Sequence, residues 1–120
     1  QVWARSSPIL FATFAKKTSS RDGAPKRQGV HDVGAACCNI SLQAAALGLH
    51  AHGMAGFNPE QLCSALKVPD DFEAVACWAL GRLGDPANLP DMFRTMELSP
   101  RSRKSIDEVV FSGDWGKPGI

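Results

Sequence analysis

The feature that most restricts this chain is the run that begins at Asp32. Val33, Ala35, Ala36, Cys37, Cys38, Ile40, Leu42, Ala44, Ala45, Ala46 and Leu47 are interrupted only by Gly34, Asn39, Ser41 and Gln43. A surface helix shows one apolar stripe, whereas this stretch is apolar or small on nearly every side, as expected of a helix covered from several directions. The reading is a helix over 32–48, with Asp32 capping its start and Gly48 ending it in a left-handed conformation. A chain of 120 residues is one ordinary domain and cannot easily cover such a helix from every side. The sequence therefore predicts a subunit interface, with Gly34, Ala36 and Ala44 permitting close helix approach.

Around that helix the chain reads as a mixture of strands and short helices. The apolar run from Ile9 to Ala15 follows Ser6-Ser7-Pro8 and suits a strand buried on both faces. Thr18 to Arg27 holds Ser19, Ser20, Asp22, Gly23 and Pro25, which is loop chemistry. Asn58-Pro59-Glu60-Gln61 places a cap, a first-turn proline and a capping-box glutamine in order, so a helix is expected from 59 to about 66. It ends before Val68-Pro69. Residues 73–80 read as a second strand ending at Gly81, residues 89–96 as a short helix, and Val109-Val110-Phe111 as a terminal strand. Helices covering a sheet make an α+β sandwich, and one folding unit over 1–120 is expected.

Composition narrows the function. A hydrophobic share of 44%, a charged share of 21% and a formal net charge of +1 describe a soluble globular protein and argue against a general nucleic-acid binder. Basic residues cluster at Lys16, Lys17, Arg21, Lys26 and Arg27 and again at Arg101, Arg103 and Lys104, the usual composition of solvated faces. No stretch reaches the roughly 20 apolar residues of a membrane-spanning helix. The first residues lack a signal-peptide pattern. Cys37, Cys38, Cys63 and Cys77 lie in apolar segments without a Cys-x-x-Cys pair, so they read as reduced packing residues of a cytoplasmic protein and not as zinc ligands.

Catalytic motifs are few. There is no G-x-S-x-G elbow and no phosphate-binding G-x-x-x-x-G-K-[ST] loop. His50 and His52 flank Ala51 and share one face if that segment is extended. Without a nearby acidic partner the pair reads as ordinary polar residues, and no metal is expected. The more informative stretch is Gly48-Leu49-His50-Ala51-His52-Gly53-Met54-Ala55-Gly56-Phe57-Asn58, in which a buried helix leads through glycine-rich backbone into a second capped helix. Glycine there lets backbone N–H groups approach a planar ligand without obstruction.

On these residues the chain resembles the nitroreductase family. The family shows a long apolar helix ending in an Ala-Ala-x-Gly-Leu-like stretch, here Ala44-Ala45-Ala46-Leu47-Gly48-Leu49, then a Gly-Phe followed by Asp or Asn, here Gly56-Phe57-Asn58. A Leu-x-x-Pro follows at Leu66-Lys67-Val68-Pro69, then a strand ending in glycine at Val75 to Gly81. A basic segment, Arg101-Ser102-Arg103, leads to Val109-Val110-Phe111. The ordered match runs from Pro8 to Trp115.

The resemblance implies a nitroreductase-like α/β/α sandwich, incomplete at its N-terminus, that assembles as a homodimer with FMN between protomers and NAD(P)H as donor. Its substrates would be nitroaromatics, quinones or similar flat acceptors. It also implies cofactor-binding roles for Met54, Ala55, Gly56, Arg101 and Arg103: backbone at Ala55 and Gly56 toward the N5 and O4 edge of the isoalloxazine, Met54 against the ring, and the two arginines on the phosphate. No catalytic acid or base is implied. The family's N-terminal Arg-Ser-x-Arg-like segment has no counterpart here, and the alternative is a degenerate homologue that serves as a structural or interaction subunit.

Overall fold

A computed structural model describes residues 3–119 and groups the chain into two compact units, 1–84 and 85–120. The single folding unit expected from length is therefore described in two parts.

The first unit is built on three strands. β1 (Ile9–Lys16) and β2 (His50–Met54) flank β3 (Phe72–Gly81), and both pairings are antiparallel. Phe11, Trp78 and Gly53 stand opposite one another across the sheet, as do Ala12, Cys77 and Met54. Paired residues share a face, so the sheet presents two distinct surfaces. One bulge interrupts β1 and β3 between Thr13 and Phe14. α1 (Gly29–Ala46) packs against β1 and β2, and α2 (Pro59–Leu66) packs against β3.

Local sequence explains these elements unevenly. α2 starts as expected: Asn58 Oδ1 accepts from the Gln61 N–H at 2.9 Å and Pro59 occupies the first turn. It ends at Lys67, whose φ of 52° is left-handed, before Val68-Pro69. α1 begins three residues before the expected start, and Asp32 is not its cap. Gln28 precedes the helix without a side-chain cap bond. Gly29 sets the start instead, because a Cβ there would stand 2.7 Å from the Lys16 carbonyl oxygen and only glycine brings the helix so close to β1. Asp32 lies inside the first turn and meets Lys26 at 3.1 Å; the hydrogen bond from Lys26 holds its carboxyl below the usual aspartate range. Gly48, with φ of 69°, takes the left-handed conformation expected after the helix.

Burial of α1 differs from the expectation. Within the chain Gly29, Cys37 and Ala44 are buried, whereas Ile40, Leu42 and Leu47 are exposed, the last two to 65% and 63%. β1 is likewise half-covered at its start, where Ile9 and Leu10 are exposed. The described core of this unit is small, formed by Ala4, Met54 and Ala79 with Trp3 and Cys77 packed beside them.

The segment 18–27 is a loop, closed by an isolated bridge between Thr18 and Pro25. Asp71 anchors its base: Thr18 Oγ1 donates to the carboxylate at 2.7 Å and the Lys17 N–H donates to the Asp71 carbonyl at 2.8 Å.

The second unit holds a 3-10 turn (Pro86–Asn88), α3 (Asp91–Leu98) and a further 3-10 turn (Ile106–Glu108). α3 lies two residues beyond the expected 89–96. The terminal strand expected at Val109-Val110-Phe111 does not form; Ser105 and Glu108 close a capping box there, and only an isolated bridge joins Phe111 to Pro118. Those two hydrogen bonds from Ser105, backbone first, lower the Glu108 carboxyl below its usual range.

Candidate functional site

β2 delivers the chain from α1 into the turn that the sequence singled out. Residues His50–Met54 pair with β3 from Gly81 to Cys77, and the strand stops at Met54. The turn itself is closed by the Phe57 N–H donating to the Ala55 carbonyl at 3.0 Å. Asn58 then caps α2. Ala55 and Gly56 are exposed, and among the described residues the Gly56 N–H donates to no protein acceptor. Gly56 does not carry a positive φ, so backbone strain does not account for a glycine there.

Met54 is placed differently from the two residues after it. Its side chain is buried, 7% exposed, in the core with Ala4 and Ala79. It also borders an apolar cavity of about 360 Å³ whose walls include Leu10, Gly56, Phe57, Leu62 and Trp78. Among the described residues, the walls of that cavity contain no charged side chain. Cys77 contributes a thiol, and burial pushes its pKa upward, which keeps it protonated.

The walls are set by close packing at β2 and β3. Trp78 stacks on Phe11 with centroids 6.0 Å apart and planes 8° from parallel. On its other side the indole lies over Gly53, where a Cβ would stand 3.0 Å from two ring carbons. Glycine at 53 therefore makes room for a tryptophan. Trp78 Nε1 is buried without an acceptor among the described residues.

Arg101 and Arg103 belong to the second unit. Both are exposed and neither forms an ion pair among the described residues; Arg103 donates to the Ser102 carbonyl. Exposed guanidinium groups without a carboxylate partner suit phosphate oxygens. All four cysteines are unpaired, Cys37 buried and Cys38 exposed, so Cys38 is not the packing residue expected. No group of three or more potential metal ligands occurs among the described residues, and no described helix is long and apolar enough to cross a membrane.

Sequence reasoning missed β2. His-Ala-His-Gly-Met lacks β-branched residues and any apolar alternation, the two signals by which strands are read. The one legible hint was the His-x-His spacing, which acquires a meaning only on an extended backbone.

Comparison with known proteins gives a consistent likeness. The sequence model of the nitroreductase family matches residues 1–82. An uncharacterised 15.4 kDa protein from the ask 5' region of Mycolicibacterium smegmatis is 38% identical over 116 residues, covering 97% of this chain and 77% of that protein. Among solved structures, an oxidoreductase containing FMN is 33% identical with a TM-score of 0.88, over 94% of this chain and 58% of that one. A nitroreductase family protein from Clostridium novyi NT is 26% identical with a TM-score of 0.58, over 94% of this chain and 55% of its own. The chain thus spans somewhat more than half the length of these two solved relatives.

Proposed function

The chain belongs to the nitroreductase family, and from that premise we propose that it serves an FMN-dependent oxidoreductase that takes electrons from NAD(P)H and passes them to nitroaromatics, quinones or similar flat acceptors. The observation that carries this reading is the turn after β2. An exposed glycine whose N–H has no protein acceptor, and whose φ does not demand glycine, stands at the mouth of an uncharged apolar cavity. A planar ring with one polar edge fits such a place.

FMN, when bound, supplies the hydride chemistry itself. The chain's own residues do the holding. Backbone at Ala55 and Gly56 offers N–H groups to the polar ring edge, and Met54 supports the turn from the core beneath it. From the family resemblance, Arg101 and Arg103, described within the second unit by itself, are the residues proposed for the phosphate. The apolar walls around Phe57 and Trp78 exclude water, which strengthens each hydrogen bond made inside. The uncovered Ile40 and Leu42 of α1, with Leu47 just after it, belong to a homodimer contact on this reading.

FMN titration of the purified chain tests the proposal, followed by NADPH or NADH oxidation with a quinone acceptor. The expected result is saturable flavin binding, with Arg103→Ala weakening it about ten- to a hundredfold through loss of one charge-assisted contact. A folded chain that binds no flavin as a dimer overturns the enzymatic reading and leaves a structural subunit. Unchanged affinity in Arg103→Ala removes that residue from the phosphate.

A further inference from the structure

The flavin reading leaves one motif unused, the two histidines of β2. His50 and His52 alternate with Ala51 on an extended strand, so both side chains leave the same face. A rise of about 3.3 Å per residue separates their Cα atoms by roughly 7 Å. Imidazoles at that spacing can lean over the intervening residue and meet one ion, each with a metal–nitrogen distance of about 2.0–2.1 Å.

Both rings reach solvent. Their cross-strand partners, Gly81 and Ala79, carry nothing larger than a methyl group, and Pro8 lies over Gly81, where a Cβ would stand 2.8 Å from its Cδ. The other side of β2 is an edge of the described sheet. Both histidines are exposed, and neither is ion-paired to a carboxylate among the described residues; His31 is the histidine that meets an aspartate. His52 is also held in place, because Trp3 meets its ring edge-on with centroids 4.8 Å apart and planes 83° apart.

We propose that His50 and His52 chelate a late first-row divalent ion of the nickel or copper class, with water filling the remaining positions. Imidazole nitrogen suits these borderline ions, and their affinity for nitrogen sites rises toward copper. Magnesium and calcium are excluded by the absence of oxygen ligands in the pair. Two protein ligands hold the ion less tightly than the four of a structural zinc site. The inference is independent of the flavin reading, since it uses only side chains on the strand before the turn.

Nickel(II) is the probe of choice, because copper(II) would oxidise the exposed Cys38 thiol. Calorimetric titration of the whole chain is expected to show one ion per chain. His50→Ala and His52→Ala should each weaken binding by about tenfold or more, since a single imidazole cannot chelate. His31→Ala and Cys38→Ser should leave it unchanged. Nickel should also quench tryptophan fluorescence, and Trp3→Phe should remove most of the quenching while binding persists. Wild-type affinity in both β2 variants overturns the proposal, as does an equal loss in His31→Ala or Cys38→Ser, or the absence of any titratable nickel site. Circular dichroism verifies that the variants fold, and exposed histidines give no reason for them not to.

Discussion

Gly56 lacks the backbone constraint that usually explains a glycine in a turn. Its φ is not positive, so a side chain there meets no left-handed backbone penalty, and on the proposed reading the cost of Gly56→Val falls on whatever approaches the exposed N–H. The expected outcome is a nearly unchanged melting temperature without flavin and a flavin affinity reduced about tenfold or more, the scale of one lost hydrogen bond plus obstruction. Melting curves and flavin titration on the same variant decide it: a large loss of apo stability would return Gly56 to a purely structural role. Gly53 makes the opposite case. Its Cβ would press on Trp78, which Phe11 backs from the other side, so Gly53→Ala should destabilise the apo protein by about 1–3 kcal/mol, the usual cost of overpacking. Chemical denaturation measures that loss. Both glycines were visible in the sequence, but their different reasons were not, because one depends on a dihedral angle and the other on a ring directly opposite on the neighbouring strand. The cysteines divide in the same manner. Cys38 is exposed while burial raises the Cys77 thiol pKa, so iodoacetamide near pH 8 should label Cys38 first and Cys77 slowly, as mass spectrometry of a time course would show.

At the scale of elements, α1 and α2 were legible for different reasons. α2 announces itself through Asn58 and Pro59, whose capping chemistry is local and survives any tertiary context. α1 announces its apolar surface but not its first residue, since that is set by contact of Gly29 with the Lys16 carbonyl, which the sequence does not display. The structure also separates two substitutions that looked equivalent. Ala44 is buried within the chain, whereas Ala36 is exposed. Ala44→Glu places a charge in the core and should cost several kcal/mol of fold stability. Ala36→Glu should leave the fold intact and weaken only self-association, together with Leu42→Glu on the uncovered side. Sedimentation of the Ala36 variant beside the wild type checks the homodimer, and two identical stable monomers would remove the interface.

For the whole molecule, the order of elements in the first unit was readable because each long periodic segment carries its own signal, apart from β2. The second unit was read less well. Val109-Val110-Phe111 has strand-like composition, yet Ser105 and Glu108 cap a turn immediately before it, and a local hydrogen-bonded motif overrode the weaker propensity. The family match over residues 1–82 lies wholly within the first unit, while the solved FMN oxidoreductase follows 94% of the chain. Arg101 and Arg103 therefore rest on the longer likeness alone. A peptide ending at residue 84 offers a direct comparison: loss of flavin affinity with retained secondary structure would assign the phosphate to the second unit.

The sheet order carries a consequence for how the chain is made. β3 is the central strand, and the two strands that flank it precede it in sequence and never pair with each other. Among the described strands, β1 and β2 therefore leave the ribosome before either has a hydrogen-bonding neighbour, and this sheet can close only when residues 72–81 emerge. Ile9 must then find Leu80 across nearly the whole unit, a closure that is slow because its entropy is lost before any contact is gained. Nascent chains stalled short of β3 should lack sheet structure and be cut readily by protease, whereas those stalled well beyond it should gain protection in a single step.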